Sequence, residues 1–259
     1  MNTWLLAVRG TAEPQDGEAN LLNAVYRATR ERGVLYVDVA YPASIAVANA
    51  GNDVLGASLA ESVDQAEQAL REIVAEIPLG DRIVLAGYSL GAIAVLQAAA
   101  AGIRYDRIVT IACPTRTIGH VTGGRVLRTG YTGIAAGYRP EPRTLDDVCH
   151  IVNPNDGITC LHPQSPLRRL VPYLWALDLD DWAPWAGTVY AHLTGWRRLL
   201  DPRAVFNPQA WGEALPALDG YLHGGQHTTA YRDAKWEHNG QLISGVALAG
   251  KLVDEVTAR

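Results

Sequence analysis

Short apolar runs alternate with segments of helical period through residues 1–111, and this pattern restricts the possible folds more than any other feature of the chain. Trp4–Val8 is a brief apolar run that ends at Arg9-Gly10-Thr11. Glu18–Arg32 sets Leu21, Leu22, Val25 and Ala28 at helical spacing, and Gly33 stops it. Val34–Val39 is short and β-branched. Ser58–Ile77 repeats Leu59, Val63, Ala66, Leu70, Ile73 and Ile77 along one helical face, and Ser58 and Glu61 have capping-box spacing at its start. Pro78 and Gly80 close it. Ile83–Ala86, Ile108–Ile111 and Val148–Val152 read as strands, Ala92–Ala101 as an alanine-rich helix, and 241–257 as a closing helix. Alternation of this kind predicts an α/β fold with a central, mainly parallel sheet and helices on both faces. Loops at the carboxyl ends of such strands carry the chemistry, so those after Val8, Ala86, Ile111 and Val152 are the places to search.

Two stretches break the pattern. Residues 113–143 are rich in glycine and read as a loop excursion. Residues 161–220 hold seven of the 14 prolines and five of the 7 tryptophans, with short apolar helical pieces between the prolines. The expected organisation is one α/β domain built from 1–160 and 221–259, with 161–220 inserted as a helical cap. A chain of 259 residues, 48% hydrophobic and 19% charged, can bury a core of that size. A net charge of −5 argues against nucleic acid as a partner. No apolar run is long enough to span a membrane. Met1–Val8 lacks a basic start and reaches Arg9 at once, so it reads as a first strand and not as a signal peptide. Three cysteines are too few for a disulfide scaffold.

Gly87-Tyr88-Ser89-Leu90-Gly91 is a G-x-S-x-G pattern directly between a strand and a helix. That context fits a nucleophile elbow, where a sharp turn needs small residues on both sides of the serine and exposes its Oγ above the sheet. A plain glycine-rich turn is the bland alternative. A serine hydroxyl needs a histidine base, and the base needs a carboxylate. Asp156 follows a strand in Asn153-Pro154-Asn155-Asp156-Gly157, where a sheet-top loop would place an acid, although an Asx-turn role is also open. Asp146 and Asp147 precede that strand and are weaker rivals, and Asp178, Asp180 and Asp181 lie in the cap. His227, in a glycine loop, is the favoured base, and His223 is the alternative, with His192 and His238 further behind. Leu90, next after the serine, should give one oxyanion-hole amide. Thr11 should give the second, and its hydroxyl a third donor, unless it is only a turn residue. Tyr88, Trp182 and Trp185 are candidates for contact with substrate. No cofactor or metal is expected, because Gly224 and Gly225 break the helix that would align His223 with His227.

Taken together, these residues resemble the cutinase-like serine esterases. Val8-Arg9-Gly10-Thr11-Ala12-Glu13-Pro14 looks like the family's oxyanion loop, Gly87–Gly91 like its nucleophile motif, and Asn153–Cys160 like its acid loop, in family order. Leu90 stands where a Gln is commoner. The insertion at 161–220, and His227 followed by Tyr231, are similar instead to the lysin B branch found in mycobacteriophages, which cleaves the ester joining mycolic acids to arabinogalactan. The resemblance implies an α/β-hydrolase fold, catalysis by Ser89, His227 and Asp156, and a lipid ester of the actinobacterial envelope as substrate. It also implies a monomer held in the host cytoplasm until lysis and then acting at the envelope. Cys149 and Cys160 bracket the acid loop as a disulfide does in secreted relatives, or else stay reduced. A cap rich in tryptophan suits an acyl chain, though those rings could equally be the cap's own core. A host-type lipase, thioesterase or acyltransferase would use the same residues, and a catalytically silent hydrolase fold would serve as a binding module.

Overall fold

The computed structural model describes residues 1–15, 17–45, 56–117, 121–123, 127, 129–138, 147–172, 212–214, 216–217, 219–220 and 224–259. Strands β1 (Thr3–Val8), β2 (Val34–Asp38), β3 (Arg82–Tyr88), β4 (Arg107–Ile111) and β5 (Val148–Ile151) form one sheet in the order β2-β1-β3-β4-β5. Every pairing in it is parallel. From β1 the chain crosses to β2 on one side, and from β3 it crosses to β4 on the other. The carboxyl ends of β1 and β3 therefore border a crevice where the strand order reverses, the usual position for a site in such sheets.

Side chains alternate across the sheet with period two. Leu6, Val8, Ile83, Leu85 and Ile108 pack on one face with α2 (Leu59–Glu76) and α3 (Leu90–Ala100). Leu5, Ala7, Val84, Ala86, Val109 and Ile111 pack on the other with α1 (Leu21–Ala28) and α4 (Gly245–Thr257). Helix α2 starts where its sequence signal sits, because Ser58 Oγ accepts from the Glu61 amide at 3.1 Å. Helix α3 is buried from Leu90 to Ala99, which explains why it has no polar face and is built largely of alanine.

Two elements differ from expectation. Helix α1 begins only at Leu21, because the Asn20 side chain accepts from the Leu22 and Asn23 amides at 2.9 and 3.2 Å and so sets the first turn. The expected closing helix over 241–257 is two elements. Gln241–Ser244 is β7, paired antiparallel with β6 (Ala234–His238), and α4 follows with Ser244 as its cap. The hairpin turns at Asn239-Gly240, both with positive φ (49° and 76°), the conformation that favours this dipeptide in tight hairpins.

Of the expected cap, residues 173–211 lie outside the described residues, and so do Trp182 and Trp185. Its described flanks are tied to the main domain. Pro166–Leu170 form a 3₁₀ helix, from which Arg168 donates to the carbonyls of Gly133 at 2.5 Å, Ile134 at 3.1 Å and Leu161 at 2.8 Å. On the far side Tyr131 donates its hydroxyl to Glu213, and Ala217 packs on Gly157. No helix among the described residues is long and apolar enough to cross a membrane.

Candidate active site

Ser89 sits between β3 and α3 with φ 53° and ψ −115°, a strained conformation for a residue with a Cβ. The strain persists because both flanks are fixed. The Ser89 amide donates to the Ile111 carbonyl at 3.0 Å, and its carbonyl accepts from Ala92 at 3.0 Å. The neighbouring glycines are sterically required. A Cβ on Gly91 would lie 1.8 Å from the Val8 carbonyl oxygen, and one on Gly87 would lie 2.5 Å from that of Gly91. This close approach lets α3 start directly over the end of β1.

His227 reaches the serine from the loop before a 3₁₀ turn at Thr229–Arg232. Its Nε2 lies 2.7 Å from Ser89 Oγ, and its Nδ1 lies 2.9 Å from Asp156 Oδ2. Both the histidine and the aspartate are buried. With the ring proton on Nδ1, Nε2 accepts from the serine hydroxyl, and the row can take that proton as Oγ attacks a carbonyl. A buried carboxylate needs several donors. Asp156 has them: its Oδ1 accepts from the Ile158 amide at 3.0 Å, and its Oδ2 accepts from the Tyr231 hydroxyl at 2.9 Å as well as from the imidazole. The acid and base loops are joined by Asn153, whose Nδ2 donates to the Gln226 carbonyl and to its Oε1, each at 2.9 Å.

The loop after β1 adjoins this row, since a Cβ on Gly10 would lie 3.4 Å from that of Ser89. Its amides are nearly all engaged. Gly10 donates to Glu13 Oε2 at 2.8 Å, Ala12 to the Ala43 carbonyl at 2.9 Å, and Glu13 to the Gly10 carbonyl at 3.2 Å. The Thr11 amide has no partner among the described residues, and neither has that of Leu90, the first residue of α3. Two such amides beside a nucleophile are what an oxyanion hole requires.

Arg9 and Glu13 hold the loop in shape. The buried Arg9 guanidinium donates to the carbonyls of Glu13 at 2.9 Å, Val39 at 3.2 Å and Tyr41 at 2.6 Å, and it lies over the Tyr41 ring. Glu13 Oε1 accepts from the Leu21 amide at the start of α1 at 2.9 Å. Burial pushes the Glu13 carboxyl above its ordinary value of 4.5, although the Gly10 and Leu21 amides pull it down. The folded protein therefore holds this proton more tightly than the unfolded chain does. The associated stability is complete below the ordinary glutamate value and is lost as pH rises through the raised one. Glu13→Gln is expected to remove that part of the decline in Tm above about pH 4.5. Melting curves of both proteins across that window test this, and parallel profiles would refute it.

Tyr88 is the last residue of β3. Period two puts it on the face of Val84 and Ala86, where it is buried in the core beneath α1 and α4. Its hydroxyl donates to the His227 carbonyl at 2.7 Å, and the two rings stack at 5.6 Å. It supports the base loop. His223 lies outside the described residues. Cys149 and Cys160 are thiols and not a disulfide. Among the described residues, no group of His, Cys, Asp or Glu side chains is placed to hold a metal ion. The supports contributed by Arg9, Glu13, Asn153 and Gln226 had no sequence signal of their own, and Tyr231 was marked only by its place after His227.

The described residues have an α/β-hydrolase-type fold, with a parallel sheet covered by helices on both faces. Sequence comparison finds no matching family model and no matching curated protein. Among solved structures, lysin B from mycobacteriophage D29 matches over 76% of this chain and 90% of its own, at 16% identity and TM-score 0.51. A cutinase-like protein from Cryptococcus sp. matches over 61% of this chain and 79% of its own, at 18% identity and TM-score 0.49. The catalytic core domain of an acetyl xylan esterase from Trichoderma reesei covers 61% of this chain and 84% of its own, at 19% identity and TM-score 0.48. The likeness to lysin B establishes a shared fold.

Proposed function

We propose that the chain is a serine esterase that hydrolyses lipid esters. The observation that carries this reading is the row Ser89–His227–Asp156, with contacts of 2.7 and 2.9 Å, at the crevice of the sheet. His227 takes the proton from Ser89 Oγ as the oxygen attacks the ester carbonyl. The Thr11 and Leu90 amides receive the oxyanion, and Asp156 stabilises the imidazolium. His227 then returns the proton to the leaving alcohol. Water, deprotonated by the same base, splits the acyl-enzyme to acid and Ser89.

The preferred substrate is a mycolyl or other long-chain acyl ester, and the setting is lysis of an actinobacterial envelope by a phage enzyme of the lysin B type. Support for this finer reading is the sequence resemblance at Asn153–Cys160 and at His227 with Tyr231, together with the shared fold. Hydrolysis of p-nitrophenyl butyrate and palmitate tests it. The esterase reading expects turnover of at least one ester, and the long-chain reading expects a higher kcat/KM for palmitate. Preference for butyrate would overturn the substrate assignment and leave the chemistry in place. Failure to turn over either ester, with no labelling of Ser89 by a fluorophosphonate, would overturn both.

A further inference from the structure

We infer that Tyr231 is the positioning residue of Asp156: its hydroxyl proton is directed at the carboxylate oxygen that also holds the base, and it sets how strongly that carboxylate attracts the imidazolium. The inference rests on the esterase reading above. Three contacts carry it. The Asn153 amide donates to the Tyr231 oxygen at 3.2 Å, so the hydroxyl's own proton is left to point elsewhere. It points at Asp156 Oδ2, 2.9 Å away. That oxygen is the one 2.9 Å from His227 Nδ1. Two donors thus share a single oxygen while Ile158 serves the other.

The ring has no freedom to choose another partner. Tyr231 is fully buried and stacks on Trp236 with centroids 5.4 Å apart, and the Trp236 indole is pinned to the Val152 carbonyl at 3.3 Å. Val152 immediately precedes the acid loop, so one aromatic pair links the strand end, the acid and the base. The titratable groups facing the hydroxyl are Asp156 from the acid loop and Tyr88 from β3. Burial and the Asp156 charge keep Tyr231 protonated across the working range, so it acts only as a donor.

The physical consequence has a definite sign. Part of the negative charge on Oδ2 is satisfied by the tyrosine, which leaves less to stabilise an imidazolium. Removing the hydroxyl strengthens the pull on the protonated base and weakens the support of the carboxylate. Both effects hold the proton on the pair to higher pH.

The test is the rate at which a fluorophosphonate labels Ser89 as a function of pH, in wild type and Tyr231→Phe. This readout needs the base and does not depend on knowing the substrate. The phenylalanine keeps the stack on Trp236. The acid limb is expected to move up by about one pH unit, with a plateau rate about tenfold lower. Trp236→Phe is the control for packing: it should lower Tm and leave the acid limb in place. If Tyr231→Phe lowers Tm while its acid limb overlays that of wild type, the hydroxyl is only structural and the inference fails. If Trp236→Phe moves the limb equally, packing and not the hydroxyl sets it, and the inference also fails. If wild type itself is not labelled, the esterase reading falls first and takes this one with it.

Discussion

Ser89→Ala is expected to abolish fluorophosphonate labelling and to lower kcat/KM for p-nitrophenyl esters by about four orders of magnitude or more. The alanine removes the hydroxyl that lies 2.7 Å from His227 Nε2. His227→Ala should fall by a similar factor, and the double variant should be no worse than either single one. Members of one proton-transfer row act as a unit, and their losses do not add. If Ser89→Ala kept even a hundredth of wild-type turnover, as read by active-site titration of a pure sample, another nucleophile would be at work. If His227→Ala alone kept activity, His223 would become the candidate base.

Gly91→Ala is expected to destabilise the fold by about 3 kcal/mol or more, a loss of roughly 10 °C in Tm for a domain of this size. The sign opposes intrinsic propensity, since alanine in a helix normally gains about 1 kcal/mol over glycine. Sterics decide, because the new Cβ would sit 1.8 Å from the Val8 carbonyl oxygen and 2.6 Å from that of Arg9. Neither is a side chain that could swing aside. Relief requires α3 to lift off β1, which also draws the Leu90 amide away from the oxyanion loop. Calorimetry and labelling kinetics on the same preparation check both effects. A variant that melts within about 2 °C of wild type would contradict the close approach.

The sequence carried the local half of this arrangement. The elbow was legible because its turn, its two glycines and its flanking strand and helix are contiguous. The place of Asp156 above the sheet was legible because it follows a strand. The pairing of Asp156 with His227 spans 71 residues, and only a rule of chain order could suggest it. The burial of Tyr88 was within reach of the alternation rule: on a strand, two positions on from Ala86 is the same face, and that face is core. The hairpin at Asn239-Gly240 was also within reach of the turn rules. The Arg9 clamp was not, since its carbonyl partners lie on Val39 and Tyr41, 30 and 32 residues away, and backbone acceptors leave no mark in residue type.

Half of the site is therefore early in the chain and half is late. Ser89 and the two proposed oxyanion amides belong to residues 1–111, where four of the five parallel strands and α1 to α3 are found. His227 is 138 residues from Ser89, and closing so long a loop is slow relative to forming helices and adjacent crossovers. In synthesis from the amino end, the residues that place Ser89 are made before the stretch that carries His227. A chain released only as far as β4 carries the serine without its proposed base, and the proposed reactivity waits for about the last 33 residues to fold back onto the sheet.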